Sequence, residues 1–84
     1  MSEGPVSITV YTREDCHLCE EAIDTIERVA DEAGVELALE LVDVDTDEEL
    51  RETYGERVPY VLVDGSPAFK YRVEERELRR KLSR

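Results

Sequence analysis

Two cysteines, Cys16 and Cys19, lie where the sequence changes from a strand pattern to a helix pattern. Residues 6–11 are β-branched and aromatic, which predicts a strand. Residues 16–33 carry apolar side chains at helical spacing, which predicts a helix with one buried face. Because a Cys-x-x-Cys between a strand and a helix is typical of redox motifs, this junction constrains both the fold and the chemistry.

The predicted helix gives the two cysteines different surroundings. Cys19 is at helical spacing from Ile23, Ile26 and Ala30, so we expect it on the buried side. Cys16 is expected to cap the exposed tip, and Gly34 to end the helix. The side chains expected on the buried face are Leu18, Ala22, Ile23, Ile26, Val29, Ala30 and Ala33.

The middle of the chain predicts a second strand and a short helix. Residues 35–42 alternate, with Val35 and the following leucines on one half-buried face. Thr46 and Glu49 are spaced as a capping box for a helix that ends at Tyr54. The acidic segment 43–47 superficially resembles a calcium loop. It has Glu48 and Tyr54 where such a loop needs Gly and Glu, so no metal site is predicted.

The last third predicts a hairpin and a helix. A strand begins at or just after Pro59 and ends at residue 63, and Asp64-Gly65 is a hairpin turn signal. Residues 66–71 form the return strand, which Pro67 restricts to a sheet edge. The last helix is expected over residues 73–82. Its basic end, which includes Arg84, is expected to complement the helix C-terminus.

The composition limits the classes of partner. The net charge is −11, with 22 acidic and 11 basic residues, which favours a protein of a high-salt cytoplasm. An ordinary acidic, solvated surface is the alternative. Either way, such a surface disfavours nucleic acid and anionic membranes as partners.

The length and the apolar pattern predict one cytoplasmic domain. Residues 1–84 suffice for a single small core. No apolar run approaches the roughly 20 residues that span a membrane. The N-terminus lacks a signal-peptide pattern, and residues 1–5 are expected to be a frayed start. We expect a monomer.

The element order β-α-β-α-β-β-α, with Cys-x-x-Cys after the first strand and Val58-Pro59 before the third, resembles the thioredoxin fold. Within that fold it is similar to the glutaredoxin-like proteins. The resemblance covers residues 6–82 and rests on the segments 10–13, 16–19, 57–59 and 64–65. It implies an α/β fold with a four-stranded mixed sheet of order 2-1-3-4, flanked by helices, with the third strand antiparallel.

The resemblance also implies roles for single residues. Pro59 would follow a cis peptide bond beside the cysteine pair, and Val58 would pair through its backbone with the substrate. Arg13 occupies the position of the basic residue that contacts glutathione in glutaredoxins. His17 stands between the cysteines and is a candidate for tuning the thiolate, although a surface residue without a catalytic role is the commoner outcome.

Two departures from glutaredoxins bear on the substrate. His17-Leu18 replaces the usual Pro-Tyr, and the Gly-Gly-x-Asp segment before the last helix is missing. Arg72 stands in that region as a candidate carboxylate contact. Glutathione therefore remains open beside other disulfides of proteins or small thiols.

The predicted chemistry is dithiol exchange. Cys16, at a helix N-terminus, would attack a substrate disulfide, and Cys19 would resolve the mixed disulfide. Helical spacing predicts Cα atoms roughly 5–6 Å apart, within reach of a disulfide. No cofactor is expected. A peptide-binding module with little redox turnover, and an iron–sulfur or metal carrier using Cys16, are the alternatives.

Overall fold

The structure is a computed structural model that describes residues 4–82. Four strands and three helices follow one another in the order β-α-β-α-β-β-α, and a 3-10 turn, Val44–Thr46, follows the second strand. The strands are β1 (Val6–Thr12), β2 (Leu37–Asp43), β3 (Tyr60–Val63) and β4 (Ser66–Lys70). The helices are α1 (His17–Ala33), α2 (Glu48–Tyr54) and α3 (Glu75–Leu82).

The strands form one mixed sheet of order β2-β1-β3-β4, which confirms the predicted topology. β1 is parallel to β2 and antiparallel to β3, which in turn is antiparallel to β4. β4, with Pro67 in it, is an edge strand, as predicted from the missing N–H of proline. Asp64 and Gly65 both have positive φ, as the two central residues of the tight hairpin require.

The core lies on one face of this sheet, beneath α1 and α3. The β1 side chains Val6, Ile8 and Val10 point to this face because side chains alternate along a strand. Helices α1 and α3 cover them with apolar side chains that are at most 2% exposed. These helix residues are Ile26, Val29, Ala30, Leu78 and Leu82. Strand–helix packing thus fixes α1, and with it the position of the cysteines at its N-terminus.

The predicted buried face of α1 is partly wrong. Leu18 is 50% exposed, and Ala33 is exposed as well. Leu18 is in the first turn, beside a hollow, and Ala33 is the last residue of the helix. The buried stripe between them, from Cys19 to Ala30, is confirmed.

The predicted buried face of β2 also needs a correction. Leu41 is 52% exposed, although it pairs in register with Val10, which is fully buried. The two residues lie at the same level of the sheet and on the same face. β2 is the other edge strand of the sheet, and most of the fully buried core side chains lie on β1, β3 and the helices, which leaves Leu41 partly uncovered.

The capping box predicted at Thr46 is wrong. Asp47 is the N-cap of α2, and its carboxylate accepts hydrogen bonds from the N–H groups of Glu49 and Leu50. The Thr46 hydroxyl instead donates to the carbonyl of Asp43 within the 3-10 turn. Aspartate is as good a cap as threonine and stands one residue closer to the helix.

Two predictions about the chain ends fall mainly or partly outside the described residues. The predicted frayed start falls mostly on residues 1–3, and the basic C-terminal end includes Arg84, all outside the described residues. Within residues 4–82, no helix is both long enough and apolar enough to cross a membrane.

Candidate active site

Cys16 is the N-cap of α1. Its backbone is extended, with φ of −102°, and the helix proper begins at His17. Its Sγ accepts a hydrogen bond from the N–H of Cys19 at 3.1 Å, and its carbonyl accepts the first helical hydrogen bond, from Glu20. Asp15, just before it, has a positive φ of 57°, which turns the chain into the helix. Cys16 is half-buried at this helix N-terminus.

Cys19 lies one turn further along α1 and is only 1% exposed. It is joined to Cys16 by a disulfide bond, with the two Cα atoms 5.2 Å apart, which agrees with the predicted separation. The pair is therefore asymmetric, with Cys16 half-buried and Cys19 buried in the interior. Both residues stand at the start of α1, Cys16 as its N-cap and Cys19 in its first turn.

The peptide bond between Val58 and Pro59 is cis, as the resemblance implied. Pro59 is buried, and its carbonyl accepts a hydrogen bond from the N–H of Tyr71. Val58 is half-buried. None of the backbone hydrogen bonds outside the helices and strands of residues 4–82 involves Val58.

The sheet brings these two segments to the same end. Tyr11 of β1 pairs with Tyr60 of β3, directly after Pro59. The chain leaves β1 there toward Cys16, and it enters β3 there from Val58-Pro59. This end of the sheet is therefore the candidate active site.

His17 lies exposed beside Cys16. Its Nε2 is 3.0 Å from the Glu21 carboxylate, one helical turn away. Both side chains are largely in solvent, with 82% and 62% of their surface exposed. This contact directs the imidazole along the helix surface.

The guanidinium of Arg13 is hydrogen-bonded to other groups of the chain. Its Nε and Nη2 donate to the two carboxylate oxygens of Asp45 at 3.2 and 2.8 Å, and its Nη1 donates to the Gly55 carbonyl at 2.8 Å. The hydrogen bond from Arg13 holds the pKa of Asp45 below its usual value, and the same bond raises the pKa of Arg13. The predicted glutathione contact is thus already occupied by a carboxylate of the chain itself.

Carboxylates surround the disulfide on the helix side. They are all exposed, in the turn before Cys16 and in the first turns of α1: Glu14, Asp15, Glu20 and Glu21. Like charges disfavour a thiolate at short range, and salt screens exposed charges. The helix N-terminus favours the ionised form of the Cys16 thiol, and the nearby carboxylates oppose it.

Three of the four tyrosines pack together on the opposite face of the sheet from α1, two of them stacked and the third tilted against them. The rings of Tyr11 and Tyr54 are 4.2 Å apart and nearly parallel, and Tyr60 lies 5.0 Å from Tyr54. Burial, followed by the neighbouring Tyr54, raises the pKa of Tyr11. Tyr71 stands apart, 46% exposed beneath Lys70. The stack joins β1, α2 and β3 by packing.

A small hollow adjoins the first turns of α1. It has a volume of about 150 Å³ and lies between Leu18, Ala22 and Thr25 on one side and Arg72 and Val73 on the other. Arg72 is exposed there, before α3, in the region where glutaredoxins have the Gly-Gly-x-Asp segment that this chain lacks. Within residues 4–82, no other structural feature marks Arg72 as a carboxylate contact.

The acidic segment 43–47 serves local structure. Asp43 accepts from the N–H of Asp45, Asp45 binds Arg13, and Asp47 caps α2. Within the described part of the chain, no group of three or more His, Cys, Asp or Glu side chains is arranged to hold a metal ion.

Sequence reasoning missed the partners of Arg13. Asp45 and Gly55 are 32 and 42 residues away in sequence. No local pattern points to such contacts, and only the topology, which gathers the ends of β2 and α2 beside the turn after β1, brings them together. A search for acidic residues after a parallel neighbouring strand would have suggested Asp45.

Several solved structures are similar to this chain. A protein from Nitrosomonas europaea, solved in solution, is 29% identical, with 99% of this chain and 98% of that chain covered and a TM-score of 0.79. A protein from X. campestris, solved by X-ray crystallography, is also 29% identical, with 89% and 93% covered and a TM-score of 0.73. A thioredoxin from Fasciola hepatica is 22% identical, with 96% and 81% covered and a TM-score of 0.56, which shows a shared fold.

The fold and the Cys-x-x-Cys site define a protein of the thioredoxin superfamily. The family described as glutaredoxin-like domain (DUF836) matches residues 7–83, and the chain belongs to this family. A comparison with curated protein sequences finds no match. The family, the fold and the disulfide fit thiol–disulfide oxidoreductases in general.

Proposed function

We propose that this protein is a small dithiol oxidoreductase that exchanges disulfides through Cys16 and Cys19. The observation that carries the proposal is the asymmetry of the pair. Cys16 is half-buried at a helix N-terminus with an N–H directed at its sulfur, and Cys19 is 1% exposed within disulfide distance. A nucleophilic thiolate and a protected resolving thiol are the two groups that such exchange needs.

The proposed reaction consists of two thiol–disulfide exchange steps between the cysteine pair and the substrate. The Cys16 thiolate attacks one sulfur of a substrate disulfide, whose S–S bond breaks and releases one thiolate. Cys19, losing its proton, then attacks the Cys16 sulfur of the mixed disulfide and releases the second substrate thiolate. The substrate gains two electrons, the Cys16–Cys19 disulfide forms, and an external thiol donor must reduce it before the next cycle.

The cis-proline segment supplies the substrate contact in this proposal. Val58 has backbone groups outside the hydrogen bonds of the loops and caps, and an extended peptide can pair with them as an added strand. Pro59 forms the buried wall behind it, and His17 lies at the rim. The substrates are disulfides of proteins or small thiols, the compartment is the cytoplasm, and the protein acts as a monomer.

The test compares the wild type with Cys16→Ser and Cys19→Ser on a peptide disulfide, with dithiothreitol as the donor. We expect turnover by the wild type and only background reduction by Cys16→Ser. When reduced Cys19→Ser is freed of dithiothreitol and then mixed with the peptide disulfide, it should accumulate a mixed disulfide, seen by mass spectrometry as protein plus one peptide thiol.

Two outcomes would contradict the proposal. A wild type that reduces neither peptide disulfides nor oxidised glutathione would favour a peptide-binding module. Full turnover by Cys16→Ser would remove the assignment of Cys16 as the nucleophile.

A further inference from the structure

One side chain, Arg13, connects three segments at the active-site end of the sheet. It stands in the turn between β1 and Cys16. Its guanidinium fork binds both oxygens of Asp45, in the 3-10 turn after β2. Its Nη1 binds the carbonyl of Gly55, in the segment that leads from α2 to Val58. The contacts thus link the segment that presents the nucleophile to the segment that leads to the substrate wall.

The surroundings of Gly55 show how closely this junction is packed. Gly55 is buried, and an added Cβ would overlap the backbone carbonyl of Arg51. Its N–H donates to that same carbonyl at 2.8 Å, so the end of α2 is fixed on one side. Arg13 holds the carbonyl of Gly55 on the other. The segment 55–58 is therefore held at its start by two hydrogen bonds to different parts of the chain.

The charge of Arg13 is compensated within the chain. A bidentate contact with a carboxylate is the strongest pairing that a guanidinium makes, and a lysine cannot reproduce it. The Asp45 carboxyl, in turn, has its pKa lowered by this hydrogen bond. An anionic substrate would have to compete with Asp45 for the cation.

We propose that Arg13 is a positioning residue that fixes the Cys16 turn relative to the Val58-Pro59 segment, and that it does not serve as the substrate's anion contact. The inference rests on the proposed function, because it assigns Arg13 a part in disulfide exchange. A peptide paired with Val58 presents its sulfur to Cys16 only if the gap between the two segments is fixed. A misplacement of about 1 Å between reacting groups costs up to roughly 100-fold in rate.

Four variants test the proposal: Arg13→Lys, Arg13→Gln, Asp45→Asn and the double variant Arg13→Gln/Asp45→Asn. We expect each single variant to lower kcat/KM for a peptide disulfide by about 10- to 100-fold. The double variant should be no worse than Arg13→Gln alone, since Arg13→Gln already removes the contacts with both Asp45 and Gly55. The alkylation rate of Cys16 by iodoacetamide should stay unchanged in Arg13→Lys and in the double variant, which keep the net charge of the pair, when it is measured at about 1 M salt. That small reagent needs no contact with Val58.

A substrate-contacting Arg13 gives the opposite pattern. Arg13→Lys would then keep most of the activity, because the charge remains. Asp45→Asn would raise the activity toward oxidised glutathione, because the cation becomes available. Either result would overturn the proposal.

Arg28→Gln is the matched control. Arg28 makes a similar bidentate contact with Glu75, at 2.9 and 3.2 Å, and joins α1 to α3. We expect this variant to keep the wild-type kcat/KM. A loss equal to that of Arg13→Gln would show that destabilisation alone accounts for the effect, and would overturn the proposal.

Amide hydrogen exchange separates this inference from the proposed function. If the wild type reduces no disulfide, the proposed function fails, and exchange still reports on the segment after α2. We expect faster exchange of the Gly55 and Arg57 amides, which donate to backbone carbonyls, in both Arg13→Gln and Asp45→Asn, and not in Arg28→Gln. Unchanged exchange of these two amides would overturn the positioning role.

Discussion

The N–H of Cys19 donates a hydrogen bond to the Sγ of Cys16 across the first turn of α1, at 3.1 Å. In the reduced protein this N–H would face the Cys16 thiolate, together with the positive end of the helix dipole. Both interactions favour the ionised thiol, while the exposed carboxylates of Glu14, Asp15 and Glu20 oppose it. The two effects differ in range, because a hydrogen bond acts on contact and the exposed charges act through solvent.

The nucleophilicity of Cys16 is therefore expected to depend on salt. The Debye length falls from about 10 Å at 0.1 M to about 3 Å at 1 M salt, which screens the carboxylates and leaves the N–H contact intact. The pKa of the reduced Cys16 thiol should lie below the usual value of about 8.5 at high salt and rise as salt is removed. The measurement is the alkylation rate of Cys16 against pH across a salt series.

Matched charge variants control this experiment. Glu14→Gln/Glu20→Gln removes two carboxylates near Cys16, and Glu27→Gln/Glu36→Gln removes two toward the other end of α1. The first pair should weaken the salt dependence of the pKa, and the second should preserve most of it. A pKa that does not move with salt in the wild type would refute the electrostatic argument.

Local patterns in the sequence predicted the elements, and the resemblance supplied the strand order and the cis bond at Pro59. These local patterns failed where the exposure or the partner of a side chain depends on how distant elements pack around it. Periodicity places Leu41 on the core face, but only the position of β2 at the sheet edge explains its exposure. Similarly, the basic character of Arg13 was visible, whereas its partner Asp45 depends on how β2 and β1 pair.

The contrast between Leu78 and Leu41 predicts very different costs for the same substitution. Leu78 is fully buried between α3 and the sheet, and Leu41 is 52% exposed. Leu78→Ala should lower the free energy of unfolding by about 2–5 kcal/mol, because it leaves a cavity. Leu41→Ala should change it by only about 0.5 kcal/mol. Denaturant unfolding at fixed salt measures both, and equal costs would contradict the described packing.

The ion pairs between α1 and α3 predict a loss of stability in acid. Hydrogen bonds from Arg28, and then from Arg79, hold the pKa of Glu75 below its ordinary value of 4.5. A carboxyl with a lowered pKa stabilises the fold above its unfolded pKa, and that contribution is lost as the pH falls through the folded value. The Tm of the wild type should therefore decrease below roughly pH 4.5, and most clearly at low salt, since these groups are exposed.

Glu75→Gln isolates this effect. It should lower the Tm near neutral pH and flatten its decrease in acid, because Gln cannot be protonated in that range. Glu52→Gln is the control, since Glu52 is exposed on α2 and takes part in no ion pair within residues 4–82. If both variants lost stability in acid as the wild type does, the Arg28–Glu75 contact would not account for the pH dependence.

The acidic surface near Cys16 predicts a preference for cationic disulfides at low salt. The net charge of −11 and the exposed carboxylates beside the site attract a basic peptide and repel an acidic one. A disulfide peptide flanked by lysines should show a kcat/KM about tenfold higher than the same peptide flanked by glutamates. The difference should shrink as salt approaches about 1 M, because steering acts over distances that salt screens. Stopped-flow measurement of thiol release gives kcat/KM for each of the two peptides. Glu14→Gln/Glu20→Gln should reduce the difference in kcat/KM between the two peptides more than Glu27→Gln/Glu36→Gln does. If the glutamate-flanked peptide reacts as fast as the lysine-flanked one at low salt, the carboxylates near Cys16 do not influence the substrate.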